Sequence, residues 1–213
     1  MGKEIMKQID VAIKSIWLNE IPKDYAGKYL MKEDSLKSAF YHHLRSSSLA
    51  EILDENDLRI FTEFNDADIK KSRFCVDMAI VKVPKHFTGY MGEAIKEEDI
   101  LAIIEFKYKA ARQAGIDAGF YDVEKLKHLI QQDRYRNCQY YLCGIYESWF
   151  DTSELTFLGK KQTNNWANGC VTELTACYIN GFEDLRFFNV SYNNLNLRLN
   201  RDAKNATSAG FGV

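Results

Sequence analysis

A glutamate and a lysine stand two residues apart near the end of an apolar run, ILAIIEFKYK, at residues 100–109. Alternate residues of a β-strand share a face, so a strand here would project Glu105 and Lys107 together and Phe106 to the other side. Charged groups on a buried strand are costly unless they pair with one another or bind a metal ion. The spacing therefore predicts a charged site on an otherwise apolar strand.

An aspartate, Asp77, likewise places a charge in the preceding apolar run, FCVDMAIV, at residues 74–81. If the two strands are neighbours, Asp77, Glu105 and Lys107 converge. Two carboxylates and a strand carbonyl make an all-oxygen site that suits Mg²⁺, with Mn²⁺ as a substitute. Such an ion activates a bound water and offsets charge on a phosphoryl group, while a lysine beside it orients or deprotonates that water. These residue types therefore favour metal-assisted hydrolysis of a phosphodiester.

A third carboxylate, Glu33, lies three residues before Leu36 and seven before Phe40, on or near the stripe of a helix that would face the core. From there it could reach the sheet and bind the metal or the attacking water. The alternative is that Glu33 only stabilises the start of its helix, because the helix dipole favours acidic residues in the first turn.

Changes in hydrophobic period divide the chain into helices and strands that would carry these residues. Spacings of three and four residues predict helices at 3–20, 32–50 and 122–132. Runs rich in β-branched and aromatic residues predict strands at 58–64, 73–82, 100–109 and 139–147, and further strands at LTFLG, CVTELTACYI and LRFFNVSY. The interval 83–99 is predicted to be a loop or a hairpin.

This order predicts one α/β or α+β domain over residues 1–213, with a central mixed β-sheet flanked by helices. Residues 1–31 would form a leading helical segment and residues 32–147 the core. Residues 148–213 would form a β-leaning C-terminal extension.

The helical Glu33 in KEDSLKSAFYHHL, Asp77 in an apolar strand and the strand ending Glu105-Phe106-Lys107 together resemble the PD-(D/E)XK, or restriction-endonuclease-like, nuclease superfamily. The family core is a helix, three strands, a helix and a strand, which is the order predicted for residues 32–147. The chain departs from the family pattern at Val76, where the motif has proline, and in the 28-residue separation of Asp77 from Glu105.

The resemblance implies roles for these residues and a substrate. Asp77 and Glu105 would be metal ligands, Lys107 the catalytic lysine, and Glu33 an assisting catalytic residue and a further ligand. The implied activity is a Mg²⁺-dependent nuclease that cuts DNA rather than RNA, in restriction, repair, or defence against phage or mobile elements. The extension 148–213 would then serve substrate recognition or self-association, since many relatives act as homodimers to cut two strands.

The overall charge excludes a protein that binds nucleic acid through bulk positive charge, because 28 Lys and Arg face 30 Asp and Glu, a net of −2. Residues 107–136 nevertheless carry seven basic and four acidic residues, a local net of +3. A modest basic rim beside the predicted site is therefore compatible with a near-neutral chain.

The five cysteines are an odd number without a CxxC pair, which favours a reduced, cytoplasmic protein with buried thiols. No apolar run approaches the roughly 20 residues that cross a bilayer, so we expect no membrane partner.

Two alternatives to the nuclease remain at this level. One is a non-catalytic module that keeps the nuclease fold to bind a protein or a nucleic acid. The other is an unrelated α+β protein with an accidental E-x-K, which would follow if Asp77 and Glu105 did not meet on adjacent strands.

Several charged residues near the motif are given more ordinary interpretations. Asp122 and Lys125 are interpreted as a helix N-cap and a surface pair, although Lys125 or Gln131 could point toward the site. Glu63 is interpreted as a solvated strand position, with a supplementary metal role as the alternative.

Overall fold

The structure is a computed structural model, and it describes residues 3–65, 75–83, 85, 99–110, 120–131, 138–151, 153–179, 181, 184–193 and 195. The helices of this part are α1 (Lys3–Ser15), which continues through a π-helical turn (Ile16–Glu20), α2 (Ile21–Ala26), α3 (Glu33–Ser46), α4 (Leu49–Glu55), α5 (Phe120–Gln131) and the short α6 (Lys160–Thr163). The strands are β1 (Leu58–Phe64), β2 (Val76–Lys82), β3 (Ile100–Lys109), β4 (Gln139–Trp149), β5 (Val171–Tyr178) and β6 (Leu185–Ser191).

All six of these strands form one mixed sheet in the order β1-β2-β3-β4-β5-β6. The first three strands are antiparallel neighbours, β3, β4 and β5 are parallel, and β6 returns antiparallel to β5. The end of β1, the start of β2 and the end of β3 therefore meet at one edge of the sheet. The predicted α+β class, with a mixed sheet flanked by helices, is confirmed.

The N-terminal helices cover one face of this sheet. Trp17, Leu36 and Phe40 are fully buried there, and the rings of Phe40 and Phe106 meet edge to face with their centroids 5.3 Å apart. Burying a large apolar side chain stabilises a fold by about 1.5–3 kcal/mol. This packing therefore holds α3 against β3, the strand that carries Glu105 and Lys107.

Helix α5 covers the other face. Its buried side chains Val123, Leu126 and Leu129 pack in a cluster with Ile103 of β3 and Leu142 of β4. The helix thus connects β3 to its parallel neighbour β4 and lies over the same two strands. The sheet is sandwiched between two helical layers, so charged residues from either layer can reach its edge.

A buried polar network ties α1 to the C-terminal strands. Asp10 and Lys14 are both fully buried, and the Lys14 Nζ donates to Asp10 Oδ2 at 2.7 Å and to Ser191 Oγ at 3.1 Å. The Tyr141 hydroxyl donates to Asp10 Oδ1 at 2.9 Å, and Asn193 Nδ2 to the same oxygen at 3.1 Å. The leading helix and β6 are therefore parts of the same core.

The helical predictions differ from the structure in two places. The helix predicted at 3–20 continues without a break through the π-helical turn and α2 to Ala26. The helix predicted at 32–50 instead ends at Ser46, and a second helix starts at Leu49. Ser47 explains the break because its backbone is extended and its Oγ accepts the Leu49 N–H at 3.2 Å, which competes with helical pairing.

The strand predicted at LTFLG is wrong, because residues 155–159 have no regular secondary structure. The N–H groups of Phe157 and Leu158 donate instead to the buried carboxylate of Glu173, at 2.6 and 3.2 Å. The strands predicted at CVTELTACYI and LRFFNVSY are present as β5 and β6. The predicted loop 83–99 lies largely outside the described residues.

No helix in the described part of the chain is both long and apolar enough to cross a bilayer. The five cysteines all lie within the described residues, and all are free thiols.

Candidate active site

Three carboxylates lie in line across β1, β2 and β3. The pairing of Thr62 with Met78 and of Phe64 with Val76 puts Glu63 opposite Asp77. Met78 pairs in turn with Ile104, so the next position along each strand sets Asp77 beside Glu105. The condition that Asp77 and Glu105 occupy neighbouring positions on adjacent strands is therefore met.

Asp77 is held from two sides. Its Oδ2 accepts the backbone N–H of Phe106 at 2.8 Å. Its Oδ1 accepts a hydrogen bond from the Nζ of Lys37, on α3, at 3.0 Å. The Asp77 side chain is 17% exposed, so its carboxylate lies at the rim of the core rather than in open solvent.

Glu105 is the more deeply buried of the two, at 2% exposure, and its Oε2 accepts a hydrogen bond from Lys125 Nζ at 2.8 Å. The interpretation of Lys125 as half of a surface pair is wrong. Lys125 is itself buried, because it lies on the face of α5 that packs on the sheet. Gln131, the other candidate on this helix, is exposed.

The cap assigned to Asp122 is also wrong, since α5 already includes Phe120 and Asp122 lies inside the helix. The sequence prediction missed the two preceding helical residues because they carry no acidic or hydroxyl cap signal.

Cys143 is a buried thiol on the strand next to Glu105. Cys143 is on β4, where it pairs with Phe106. Burial raises the pKa of the Cys143 thiol well above its ordinary value, and the negative charges of Asp77 and Glu105 raise it further.

Lys107 and Glu33 form the next ion pair along β3. The Lys107 Nζ lies 3.2 Å from Glu33 Oε2, and the two side chains are 23% and 35% exposed. Glu33 is the first residue of α3, so the packing of this helix on β3 determines its position. The structure therefore brings Glu33 into contact with the lysine of the E-x-K motif.

Gly144 lies beside Lys107 on the neighbouring strand β4. A Cβ at Gly144 would come within 2.5 Å of the Tyr146 ring, which folds over the glycine and packs against Phe157 with centroids 4.9 Å apart. Glu105, Lys107, Gly144 and Tyr146 line the same shallow pocket. Glycine here lets an aromatic side chain approach the backbone next to Lys107.

Lys37 links Asp77 to Glu63, with its Nζ bonded to both carboxylates. Burial alone would lower the pKa of Lys37, but its hydrogen bonds to Glu63 and Asp77 outweigh burial and raise the pKa above its ordinary value. Glu63 adopts a left-handed backbone, with φ of 50°, and its side chain is 64% exposed. Glu63 is therefore largely solvated, as predicted, yet also part of the cluster.

The donors suit a divalent ion only in part. Asp77 and Glu105 are hard oxygen ligands on neighbouring strands, and Mg²⁺ is commonly bound through one or two carboxylates while keeping several waters. Within the described residues no group of three or more His, Cys, Asp or Glu side chains forms a metal site. The pair thus fits Mg²⁺ with two protein ligands, while Glu33 contacts Lys107.

Four carboxylates and three lysines make up this group, a net charge of −1 from Glu33, Glu63, Asp77, Glu105, Lys37, Lys107 and Lys125. Each predicted metal ligand contacts a lysine. A divalent ion at Asp77 or Glu105 would therefore compete with an ammonium group already in place.

Sequence reasoning missed Lys37 altogether. Its signal was weak but present, because Lys37 lies four residues after Glu33 and three before Phe40, on the same helix stripe. A lysine on such a stripe also occurs at the margin of an ordinary core, where its stem covers apolar surface. Only the position of β1 and β2 relative to α3 distinguishes a lysine that binds carboxylates from a lysine that merely covers the core.

The predicted basic rim at 107–136 is described only in part. Lys107 pairs with Glu33, Lys125 with Glu105, and Lys127 with Glu124 at 3.2 Å. Arg112, Arg134 and Arg136 lie outside the described residues.

Comparison with models of protein families, with curated proteins and with solved structures gives no match to this chain.

Proposed function

We propose that this chain is a Mg²⁺-dependent nuclease that hydrolyses phosphodiester bonds in nucleic acid, DNA rather than RNA. The observation that carries the proposal is the register of β2 and β3, which sets Asp77 beside Glu105 with Lys107 two residues further along. A carboxylate pair with an adjacent lysine combines the groups that hydrolysis of a phosphodiester requires. The resemblance of these residues to the PD-(D/E)XK pattern supplies the substrate class.

Asp77 and Glu105 would hold the metal ion. When bound, Mg²⁺ lowers the pKa of a coordinated water and offsets negative charge on the phosphoryl group. The Phe106 N–H keeps Asp77 in a fixed orientation through its 2.8 Å hydrogen bond. Burial of Glu105 at 2% exposure restricts the motion of its carboxylate in the same way.

Lys107 would act directly on the reacting atoms. Its ammonium group can orient the attacking water and stabilise charge on a phosphate oxygen, and the contact with Glu33 at 3.2 Å holds that ammonium at the edge of the sheet. In the reaction, water oxygen bonds to phosphorus, one P–O ester bond breaks, and the leaving oxygen gains a proton. Glu33 is in this scheme a positioning residue for Lys107.

A second function is favoured by one specific observation, namely that lysines contact Asp77, Glu105 and Glu33. Ammonium groups could be the permanent counterions of these carboxylates. The chain would then be a non-catalytic module that uses the fold to bind a protein or a nucleic acid.

The test is cleavage of supercoiled DNA, linear DNA and RNA with Mg²⁺ or Mn²⁺, comparing wild type with Asp77→Ala and Lys107→Ala. We expect metal-dependent cleavage of DNA by wild type. Loss of a positioned acid–base group should lower the single-turnover rate by about 10²–10⁴-fold in Lys107→Ala. Asp77→Ala should also lose any rise in melting temperature that Mn²⁺ produces.

Asp54→Ala is the matched control, because this exposed carboxylate pairs only loosely with Arg59, at 3.5 Å, away from the cluster. It should retain wild-type cleavage. Metal-dependent cleavage that survives both Asp77→Ala and Lys107→Ala would refute the site. No cleavage of any substrate, with no effect of divalent ions on melting, would favour the binding module.

The setting of the proposed enzyme follows from the same reasoning. Free thiols favour the cytoplasm, and stand-alone nucleases of this type serve restriction, repair or defence against phage and mobile elements. A homodimer would let two copies cut two strands.

A further inference from the structure

Two exposed apolar side chains lie between α2 and α3, next to the candidate site. We call residues 27–32, GKYLMK, the Tyr29 loop. Tyr29 is 75% exposed and Met31 79%, the two highest exposures of any large apolar side chain in the described part of the chain. Exposed apolar side chains next to a functional site suggest a binding role.

The Tyr29 loop begins with a hydrogen-bonded cap at the C-terminus of α2. The Lys28 N–H donates to Tyr25 O and the Tyr29 N–H to Asp24 O, both at 3.0 Å, which is the hydrogen-bond pattern of a Schellman motif. Lys28 occupies the left-handed position of this motif, with φ of 63°, where glycine is the usual residue. The chain therefore places a lysine where backbone conformation alone would favour glycine.

Gly27 orients the tyrosine ring. A Cβ at Gly27 would lie 2.7 Å from Tyr29 Cε2, so the ring rests directly against the glycine backbone. At 75% exposure the rest of the ring is accessible to solvent. An aromatic ring supported on one side and open on the other is suited to stacking on a planar ligand.

The other end of the loop is fixed to β3. Leu30 is buried, and its carbonyl oxygen lies 3.3 Å from the hydroxyl of Tyr108, the residue after Lys107. The Ser35 Oγ accepts the N–H groups of Met31 and Lys32 at 2.9 and 3.0 Å. The loop therefore has a defined position relative to β3.

The loop is also close to the reacting groups and carries positive charge. Met31 lies two residues before Glu33, within about 7 Å along the chain, a distance of about two base steps. Glu33 in turn contacts Lys107. Lys28 makes no ion pair with a described residue, and Lys32 pairs with Asp34 at 2.8 Å, with both side chains mostly exposed.

We propose that the Tyr29 loop binds an unstacked nucleobase of single-stranded nucleic acid, with Tyr29 stacked on the base, Met31 packed beside it and Lys28 at the adjacent phosphate. The inference rests on the proposed nuclease function and names its substrate class, a strand with an unpaired base next to the scissile bond. Bases in an intact duplex are stacked on both faces, so a rigid exposed ring favours a single strand over a duplex.

The test is the dissociation constant for a fluorescein-labelled single-stranded DNA oligonucleotide and for its duplex, measured by anisotropy in EDTA so that no cleavage occurs. We expect wild type to prefer the single strand. Tyr29→Ala/Met31→Ala should weaken single-strand binding by about ten-fold or more, because stacking of one base on an aromatic ring contributes on that scale. Tyr29→Phe keeps the ring and should bind as wild type does.

Lys28→Gly separates binding from stability. It removes a charge and also the left-handed strain, so the urea midpoint should stay equal to or above that of wild type while binding weakens. The magnitude of the slope of log K against log salt should be smaller by about 1 in Lys28→Gly than in wild type. Weakened binding without destabilisation supports contact with phosphate, and unchanged binding would overturn that part of the inference.

The outcomes distinguish this inference from the proposed function. Cleavage that depends on Asp77, combined with unchanged single-strand binding in Tyr29→Ala/Met31→Ala, overturns the binding role of the Tyr29 loop and leaves the proposed nuclease intact. Single-strand binding that depends on Tyr29, without cleavage by any cation, overturns the nuclease and leaves the loop as a binding site. If wild type binds neither strand nor duplex, the loop inference is overturned and the exposed loop is better explained as a protein contact, while the cleavage assay decides the nuclease separately.

Discussion

At the scale of residues, the candidate site consists of carboxylates matched to lysines from opposite helical layers. Lys37 of α3 contacts Asp77, and Lys125 of α5 contacts Glu105. Buried charges are costly unless compensated, so each lysine makes the adjacent carboxylate tolerable in a largely apolar sheet. The same lysines would compete with a divalent ion for these oxygens.

Lys125→Met tests this competition. Removing one partner of a buried ion pair leaves the other charge uncompensated, so we expect a loss of about 3–5 kcal/mol in the free energy of unfolding. If Glu105 is a metal ligand, Mn²⁺ should raise the melting temperature of Lys125→Met more than that of wild type, because the ion replaces the missing ammonium. Thermal melts with and without Mn²⁺ measure both effects.

Lys14→Met is the matched control for that substitution. Lys14 forms an equally short ion pair with Asp10 at 2.7 Å, but the pair lies in the core between α1 and the C-terminal strands. Lys14→Met should be destabilised to a similar degree without a stronger response to Mn²⁺. An equal response in both variants would show that the ion acts on the protein generally and not at Glu105.

At the scale of elements, a buried carboxylate binds backbone N–H groups in a segment that was predicted to be a strand. Glu173 on β5 is fully buried, and its carboxylate accepts two N–H groups from residues 157 and 158 and the Tyr192 hydroxyl at 2.7 Å. Burial raises the pKa of Glu173 above its ordinary value of 4.5, although these hydrogen bonds act in the opposite direction. The carboxylate fixes the 155–159 segment against the sheet, at a cost in free energy when it is ionised.

Glu173→Gln should change the pH dependence of stability. Because the folded pKa is above the unfolded one, the contribution of Glu173 is fully present below about pH 4.5 and is lost as pH rises through the folded pKa. The amide does not ionise, so the variant should lack the loss that wild type shows as pH rises above about 4.5. Urea unfolding at a series of pH values measures how the free energy of unfolding of each protein changes with pH. The exposed Glu51→Gln, on α4, should follow wild type, and a Glu173→Gln variant that also does so would contradict the assignment.

At the scale of the whole molecule, charge limits how the chain can bind nucleic acid. The net charge is −2, and Lys107, Lys125 and Lys127 are already paired with acids. Binding must then depend more on specific contacts than on counterion release. This agrees with a site that recognises a strand through stacking and a few lysines.

We therefore expect a shallow salt dependence for binding of single-stranded DNA. The local excess of three positive charges that the sequence carries over residues 107–136 corresponds to a slope of about −2 to −3 in log K against log salt. Anisotropy titrations between about 50 and about 200 mM salt would measure it. A slope steeper than about −6 would mean that many more phosphates are contacted than these residues provide.

Features that depend on neighbours along the chain could be predicted from the amino-acid sequence. The two-residue period of a strand set Glu105 and Lys107 on one face, and the order of helices and strands over 32–147 indicated a mixed sheet flanked by helices. It also singled out Asp77 as a charge in an apolar run. These are local patterns, and local patterns can be read from the sequence alone.

The tertiary structure decided which lysine meets which carboxylate. Lys37 is 40 residues from Asp77 in the chain and Lys125 is 20 residues from Glu105, so no local spacing relates them. It also replaced the strand at 155–159 by hydrogen bonds to Glu173, and it joined the Tyr29 loop to β3 through Leu30 and Tyr108. The physical reason is that burial and pairing of a charge depend on the surfaces packed around it, and those surfaces come from distant parts of the chain.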